Sequence, residues 1–155
     1  MNRRQKAILK DFAIVIIATA IAVMAMINLK DWVNRSEAMR AMEHLRRSLQ
    51  QHRDKHSSVP SQSWVDSQIK ILPGHVRLGE LQYRGPWISY DSTGDEVLAY
   101  TKKNYHSLLL GKGYVVLRLG AVLSDDGRVE WMEKQQFESL LAQQQSPLEI
   151  EILQK

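Results

Sequence analysis

The residues best suited to chemistry are two histidines that stand one helical turn apart. The ring nitrogens of His52 and His56 could together hold a transition-metal ion. A metal site also needs further ligands within reach, and the other histidines, His44, His75 and His106, are isolated in the sequence. The pattern therefore favours surface histidines, and we expect neither a bound metal nor another cofactor.

Two acidic clusters offer a second kind of chemistry. One comprises Asp125 and Asp126, and the other comprises Asp91, Asp95 and Glu96. A calcium loop of the EF-hand type needs ligands spread over about twelve residues and ending in Glu, which neither cluster provides. Two carboxylates that act as acid and base must flank a substrate cleft, whereas adjacent carboxylates in a turn point into water. Both clusters are therefore interpreted as turns.

The sequence contains no cysteine, which excludes a disulfide, a thiolate zinc site and a cysteine nucleophile. Since no other motif indicates a catalytic centre, we predict a protein that is not an enzyme. The alternative is a hydrolytic or metal-dependent enzyme that uses His75, His106 or the acidic clusters.

The positive charge of the chain is concentrated at its beginning. Most of the formal net charge of +4 comes from four basic residues that precede a single acidic one, Asp11: Arg3, Arg4, Lys6 and Lys10. A nucleic-acid-binding protein needs basic residues clustered on a folded surface. The later basic residues around Arg46 and Arg53 alternate with Glu43 and Asp54 and indicate a solvated helix face, so no nucleic-acid partner is expected.

An uncharged apolar run follows this basic tail. Residues 12–29 would span about 27 Å as a helix, close to the hydrocarbon thickness of a bilayer. Residues 1–11 contain the basic residues that precede the run. By the positive-inside rule, they predict that the N-terminus lies in the cytoplasm. Trp32 stands where an aromatic residue would anchor the outer end. The sequence thus predicts one transmembrane helix with the rest of the chain outside the cytoplasm.

Two further interpretations of this apolar run are possible from its residues. A cleaved signal peptide has the same basic and apolar regions, and residues 18–20 contain a small-x-small pattern, but that site leaves too few apolar residues before it. Ala18 and Ala22 form a small-xxx-small pair that could let another helix approach closely, although the spacing is also common by coincidence.

The helical pattern continues beyond the apolar run. Residues 30–58 contain neither Pro nor Gly before the break at Ser57, Ser58 and Pro60, and their apolar residues recur every three or four positions. The stripe that includes Met42, Leu45 and Leu49 is predicted to pack on a globular domain.

Residues 59–155 are predicted to form that domain, which is rich in strands. Residues 61–72 suggest a short helix or connection, and residues 75–83 a strand with a bulge at Gly79. Further strands are predicted at residues 96–100, 114–123 and 128–132, with a hairpin turn at Asp126-Gly127.

The end of the chain is predicted to cover the sheet. Val129 and Trp131 share one face of their strand, and a helix from residue 133 to about residue 144 packs back through Phe137. Residues 147–153 suggest a last strand. The fold class is therefore α+β, with a long N-terminal helix packed on a small antiparallel sheet and a short C-terminal helix.

The order of these segments resembles the type IV pilin-like proteins, which include the pseudopilins of type II secretion systems. The stretch "LRRSLQQHRDKHSSVPS" is similar to the end of the pilin helix, and "DGRVEW" after "LAY" is similar to strands of the pilin sheet. The sequence departs from the family where the prepilin peptidase acts, because Phe12 follows Asp11 rather than Gly or Ala. Four residues after Phe12 stands Ile16, where the family has an assembly glutamate.

The resemblance implies a pilin-like fold and a structural or interaction role in an envelope or secretion assembly. It also implies the bacterial inner membrane, with a periplasmic domain, and partners that are other protein subunits or further copies of the chain. A second hypothesis is an accessory subunit of an unrelated membrane complex, which it contacts through the transmembrane helix.

Overall fold

The computed structural model describes residues 3–88, 95–107, 111–119 and 127–153. The helices in these ranges are α1 (Arg3–His56), α2 (Gln62–Ile71), α3 (His75–Leu78), α4 (Lys134–Gln144) and α5 (Pro147–Leu153). The strands are β1 (Leu81–Tyr83), β2 (Val97–Thr101), β3 (Tyr105–Ser107), β4 (Gly111–Arg118) and β5 (Arg128–Glu133). A short 3-10 helix covers Gly85–Trp87.

The strands form one antiparallel sheet with β4 at its centre. Along one side β4 pairs with β5, from Gly113 to Arg118. Along the other side it pairs with β2 near Arg118 and with β3 near Gly111, and β1 extends the sheet beyond β2. The α+β class, the long N-terminal helix, the small antiparallel sheet and the C-terminal helix over residues 134–144 are confirmed.

Alternating side chains of the sheet bury two apolar layers. On one face, Val115 and Leu117 pack against the half of α1 that follows residue 37. On the other face, Val97 and Val116 pack against Phe137 of α4. Because successive residues of a strand point to opposite faces, the sheet lies between α1 and α4.

The predicted strand over residues 75–83 is wrong in its first half. Residues His75–Leu78 form helix α3, which ends at Gly79 with a φ of +70°, and only Leu81–Tyr83 are extended. The alternation of Val76 and Leu78 misled the prediction, since Val76 is exposed and Leu78 is buried in a helical turn just as it would be in a strand. Contacts with α1 and β3 decide the conformation.

The predicted last strand is also wrong, because Pro147–Leu153 form helix α5. The hydroxyl of Ser146 accepts a hydrogen bond from the backbone N–H of Glu149, at 3.2 Å, as an N-cap does. Pro147 occupies the first helical position, where its missing N–H costs nothing. The Ser146 cap and Pro147 are both signals for the start of a helix, and neither would stabilise a strand.

Other boundaries differ less. The predicted helix or connection at residues 61–72 is helix α2, and β4 begins at Gly111 rather than at residue 114. Strand β3 was not predicted, because its three residues become a strand only by pairing with β4. Asp126 of the predicted hairpin turn lies outside the described residues, although β4 and β5 are antiparallel as that turn requires.

Two buried tyrosines link segments that are far apart in sequence. The hydroxyl of Tyr83 donates to the carbonyl of Pro60 at 2.9 Å. The hydroxyl of Tyr105 donates to the carbonyls of Arg77, at 2.6 Å, and Leu78, at 3.1 Å. Desolvation of the phenolate raises the pKa of Tyr105 to about 12 and also raises the pKa of Tyr83.

We therefore expect the domain to lose stability in alkali. A tyrosine ionises near pH 10 in the unfolded chain, so the stabilisation from Tyr105 is complete below about pH 10 and is lost as the pH rises towards 12. Urea unfolding at successive pH values should show the free energy of unfolding falling over this range. The variant Tyr105→Phe should show a shallower fall, and an unchanged slope would contradict the prediction.

Candidate functional site

The largest exposed apolar surface lies on the first half of α1. The large apolar side chains of residues 12–29 are about half exposed or more: Phe12, Ile14, Val15, Ile16, Ile17, Ile21, Val23, Met24, Met26, Ile27 and Leu29. Water-facing patches of this size are unusual in a soluble monomer. Among the described residues, α1 is the one helix long and apolar enough to cross a membrane, and none of its most apolar stretch is buried within the protein. The surface is compatible with a single transmembrane helix.

The polar side chains in this stretch are satisfied within the helix itself. The hydroxyl of Thr19 donates to the carbonyl of Val15, and the amide of Asn28 donates to the carbonyl of Met24, both at 2.8 Å. In hydrocarbon, where water cannot compensate, every polar group needs such an internal partner. Neither residue therefore opposes insertion.

The residues predicted to set topology and helix contacts also lie on α1. Arg4, Lys6 and Lys10 are exposed in its first turns, and Arg3 belongs to the same helix. Ala18 and Ala22 are exposed. The described residues therefore leave the small-xxx-small pair uncovered.

The surroundings of α1 change abruptly after residue 30. From Asp31 onwards many side chains of α1 are partly or fully covered, while others, such as Trp32 and Arg40, stay exposed. Asp31 lies 3.8 Å from His106, the guanidinium of Arg35 lies 5.5 Å from the ring centroid of Trp131, and Glu37 pairs with Arg77 at 3.2 Å. One helix thus carries both the exposed apolar surface and the attachment of the domain.

The residues predicted to pack the domain are gathered around the sheet. Met42, Leu45 and Leu49 of α1 are buried, with Val129 and Trp131 partly buried against the same cluster. Phe137 is buried on the opposite face. These six residues therefore belong to the core that joins α1 and α4 to the sheet.

His52 and His56 lie on the last turns of α1, and His52 faces Trp64 of α2. The ring centroid of His52 is 4.5 Å from that of His56 and 4.6 Å from that of Trp64. Desolvation, and secondarily the charge of His56, lowers the pKa of His52. Within the described ranges, no three His, Cys, Asp or Glu side chains converge as a metal site would require. The arrangement is a cluster of tilted rings through which α1 contacts α2.

Of the two predicted acidic clusters, the structure describes Asp95 and Glu96, and Asp95 forms ion pairs. Asp95, with a φ of +92°, lies 3.3 Å from Arg118 and 3.4 Å from Arg128 at the end of the sheet farthest from residues 12–29. Asp91, Asp125 and Asp126 lie outside the described residues.

A buried ion pair escaped the sequence analysis. Arg84 and Glu149 have side chains only 2% exposed, and two hydrogen bonds join them at 2.5 and 3.0 Å. The guanidinium also donates to the carbonyls of Val97, at 2.9 Å, and Gln144, at 3.1 Å. The Ser-Pro-x-Glu sequence at residues 146–149 could have revealed the start of helix α5, because Glu three residues after an N-cap Ser marks a helix start, but it does not point to Arg84.

The chemistry of this network is structural. Arg84 has its charge balanced by Glu149 and its remaining donors occupied by backbone carbonyls. Such a bidentate pair is the strong form of an ion pair and has no capacity left for a substrate. It holds α5 against the end of the sheet.

Comparison with protein-family models, with curated proteins and with solved structures finds no match. The surfaces of the molecule are therefore the observations that bear on its function. The exposed apolar half of α1 and the domain attached directly to its other half are the two features that a function has to use.

Proposed function

We propose that the chain is a single-pass membrane protein that presents a pilin-like domain outside the cytoplasm. In this proposal residues 12–29 span the bacterial inner membrane, residues 1–11 lie in the cytoplasm and the domain lies in the periplasm. The protein acts without catalysis, as a structural or interaction subunit of an envelope or secretion assembly. Its partners are other subunits of that assembly or further copies of itself.

One observation carries this proposal. Helix α1 runs unbroken for 54 residues, with its apolar first half exposed and one face of its second half buried in the core with the sheet. A helix of this length places about 80 Å of rigid structure between its ends. Such a helix couples a bilayer to a domain without a flexible linker, which suits a subunit that must hold its domain at a defined place.

The order of segments supports the pilin-like part of the proposal. A long helix precedes a small antiparallel sheet, and the stretches that resemble pilins fall at the end of α1 and on β2 and β5. Asp11 and Ile16 depart from the family at the processing and assembly positions. We therefore propose a tether or a divergent subunit that keeps its N-terminal segment.

The test combines intact mass and N-terminal sequencing of the membrane-extracted protein with protease protection. A full-length chain whose domain is digested only from outside the cytoplasm is the expected result. A mature chain that begins at Phe12 would replace the tether with a processed filament subunit. A chain extracted without detergent would refute the membrane anchor itself.

The alternative function is an accessory subunit that contacts an unrelated complex through the membrane helix. The exposed small-xxx-small pair of α1 favours it. Replacing Ala18 and Ala22 by leucine should abolish a partner bound through the helix, because bulky side chains keep the two helices apart. A partner bound through the domain should still co-purify with this variant.

A further inference from the structure

Strand β5 reveals which end of the domain faces the apolar half of α1. Val129 borders a groove with Met39 and Glu43, and Trp131 lies under Arg35, which is nearer to residues 12–29. Strand β5 therefore runs towards that half of the helix and ends, at Glu133, on the near side.

Strand β3 gives the same direction independently. Tyr105 contacts the carbonyl of Arg77, whose side chain pairs with Glu37, and the next residue, His106, pairs with Asp31. From Tyr105 to His106, the contacts with α1 therefore shift by about one and a half turns towards its N-terminus. The end of β3, like the end of β5, points towards residues 12–29.

The register of the sheet identifies which of its described residues lie nearest to residues 12–29. Glu133, the last residue of β5, pairs with Gly113 of β4. Beyond that pair, β4 continues to Lys112 and Gly111, which pair with His106 and Ser107 of β3. We name the group formed by Ser107, Gly111 and Lys112 the proximal end of the sheet.

The proximal end lies close to the level at which the apolar run stops. Asp31 is two residues beyond Leu29, which is about 3 Å along the helix axis. The headgroup layer on each side of the hydrocarbon core is about 5–8 Å thick. Because α1 has no break there, a bilayer that surrounds residues 12–29 brings its headgroups up to the proximal end.

We propose that the proximal end, together with Lys30 and Trp32, binds the lipid headgroups of the outer leaflet. Lys30 and Lys112 are exposed and offer ammonium groups to lipid phosphates, while the Asp31 carboxylate lies 3.8 Å from the ring of His106. Trp32 is 57% exposed at headgroup depth, where amphipathic rings concentrate. The sheet then stands on the membrane in one orientation. This inference rests on the proposed function, because it requires the membrane span.

The test uses the absence of native cysteine, which makes a single introduced cysteine a unique labelling site. Full-length Ser107→Cys, Gln51→Cys and Ala22→Cys are labelled with a fluorophore and inserted into phosphatidylglycerol nanodiscs. Nitroxide lipids labelled at the headgroup or in the acyl chain serve as quenchers. Lys112→Cys provides a second position at the level of Ser107 should a label there disturb β3.

We expect headgroup nitroxide to quench the Ser107 and Lys112 labels several-fold and to leave the Gln51 label unchanged. Gln51 is exposed on the same helix, about 33 Å beyond Leu29. Unquenched labels at both proximal positions, with the Ala22 label quenched by acyl-chain nitroxide, would overturn the inference and leave the span intact. An Ala22 label that acyl-chain nitroxide does not quench would overturn the span and the inference together.

A charge variant tests the lipid-binding role of Lys112. In the Ser107-labelled chain, Lys112→Gln should reduce headgroup quenching in phosphatidylglycerol discs, because an ammonium group that binds phosphate is lost. Lys70→Gln removes an equally exposed lysine from α2 and should change nothing. Equal quenching in the two variants would overturn the part of the proposal that assigns phosphate binding to Lys112.

Discussion

Replacing Glu149 by alanine is expected to destabilise the domain by about 3–5 kcal/mol, the cost of leaving one member of a buried ion pair without its partner. Arg84, with its side chain 2% exposed, would keep only carbonyl oxygens as neighbours of its charge. Since a domain of this kind has about 5–15 kcal/mol of stability in all, this loss would be a substantial fraction of the total. Helix α5 would lose its attachment first.

The measurement is urea unfolding of the detergent-purified chain, followed by tryptophan fluorescence. Glu151→Ala is the matched control, because Glu151 is exposed on the same helix and surface changes usually stay within about 0.5 kcal/mol. A loss below about 1 kcal/mol for Glu149→Ala would contradict a buried charge pair.

A double variant separates the charge from the packing. Arg84→Met with Glu149→Leu replaces the pair by apolar side chains of similar size, a change that is often neutral or stabilising. We expect it to recover most of the stability lost by Glu149→Ala. If it does not, the hydrogen bonds from Arg84 to Val97 and Gln144 hold α5, and the charge pair is secondary.

The sequence predicts well the elements whose own pattern decides their structure. Helix α1 follows from the absence of Pro and Gly before residue 58 and from the stripe through Met42, Leu45 and Leu49, which the structure buries. Helix α4 and strand β5 follow in the same way from Phe137 and Trp131. In each case the apolar period points to one face, and that face is the one covered.

The elements that were mispredicted are decided by partners far along the chain. The alternation in "PLEIEIL" fits a strand, yet Glu149 is held by Arg84, 65 residues earlier. The alternation at Val76 and Leu78 also fits a strand, yet Tyr105 and Glu37 hold that segment as a helix. A short apolar alternation contains too little information to choose between helix and strand.

The features of the candidate site also differ in whether neighbouring residues or distant partners decide them. The apolar run, its internally bonded Thr19 and Asn28 and the direct attachment of the domain could be expected from one stretch of sequence. The Arg84–Glu149 pair could not, because its members are 65 residues apart in the chain, and the proximal end could not, because it depends on sheet register. The pilin-like role and the absence of catalysis stay predictions.

Replacing Gly113 by alanine is expected to cost about 3 kcal/mol, at the upper end of what overpacking usually costs. An added Cβ would lie 2.5 Å from the indole carbons of Trp131 and would overlap the backbone carbonyl oxygen of Met132. The backbone has little freedom to move away, since Gly113 is paired with Tyr105 on one side and Glu133 on the other.

Moving the Trp131 ring away from the added Cβ would also cost free energy. Its ring packs against the buried core, and Arg35 of α1 lies over it. Its indole nitrogen is buried with no hydrogen-bond partner among the described residues, so packing and the Arg35 contact hold the ring. Displacing the ring would loosen the contact between α1 and β5 as well as the sheet.

Gly111→Ala is the matched control two residues away on the same strand. An added Cβ at Gly111 meets no heavy atom within 4 Å, but its φ of +75° is unfavourable for alanine, a strain of about 1–2 kcal/mol. Urea unfolding should therefore rank Gly113→Ala below Gly111→Ala in stability, and near-ultraviolet circular dichroism should show a disturbed tryptophan only for Gly113→Ala. Equal losses would mean that backbone conformation, rather than the close approach of Trp131, requires glycine in this strand.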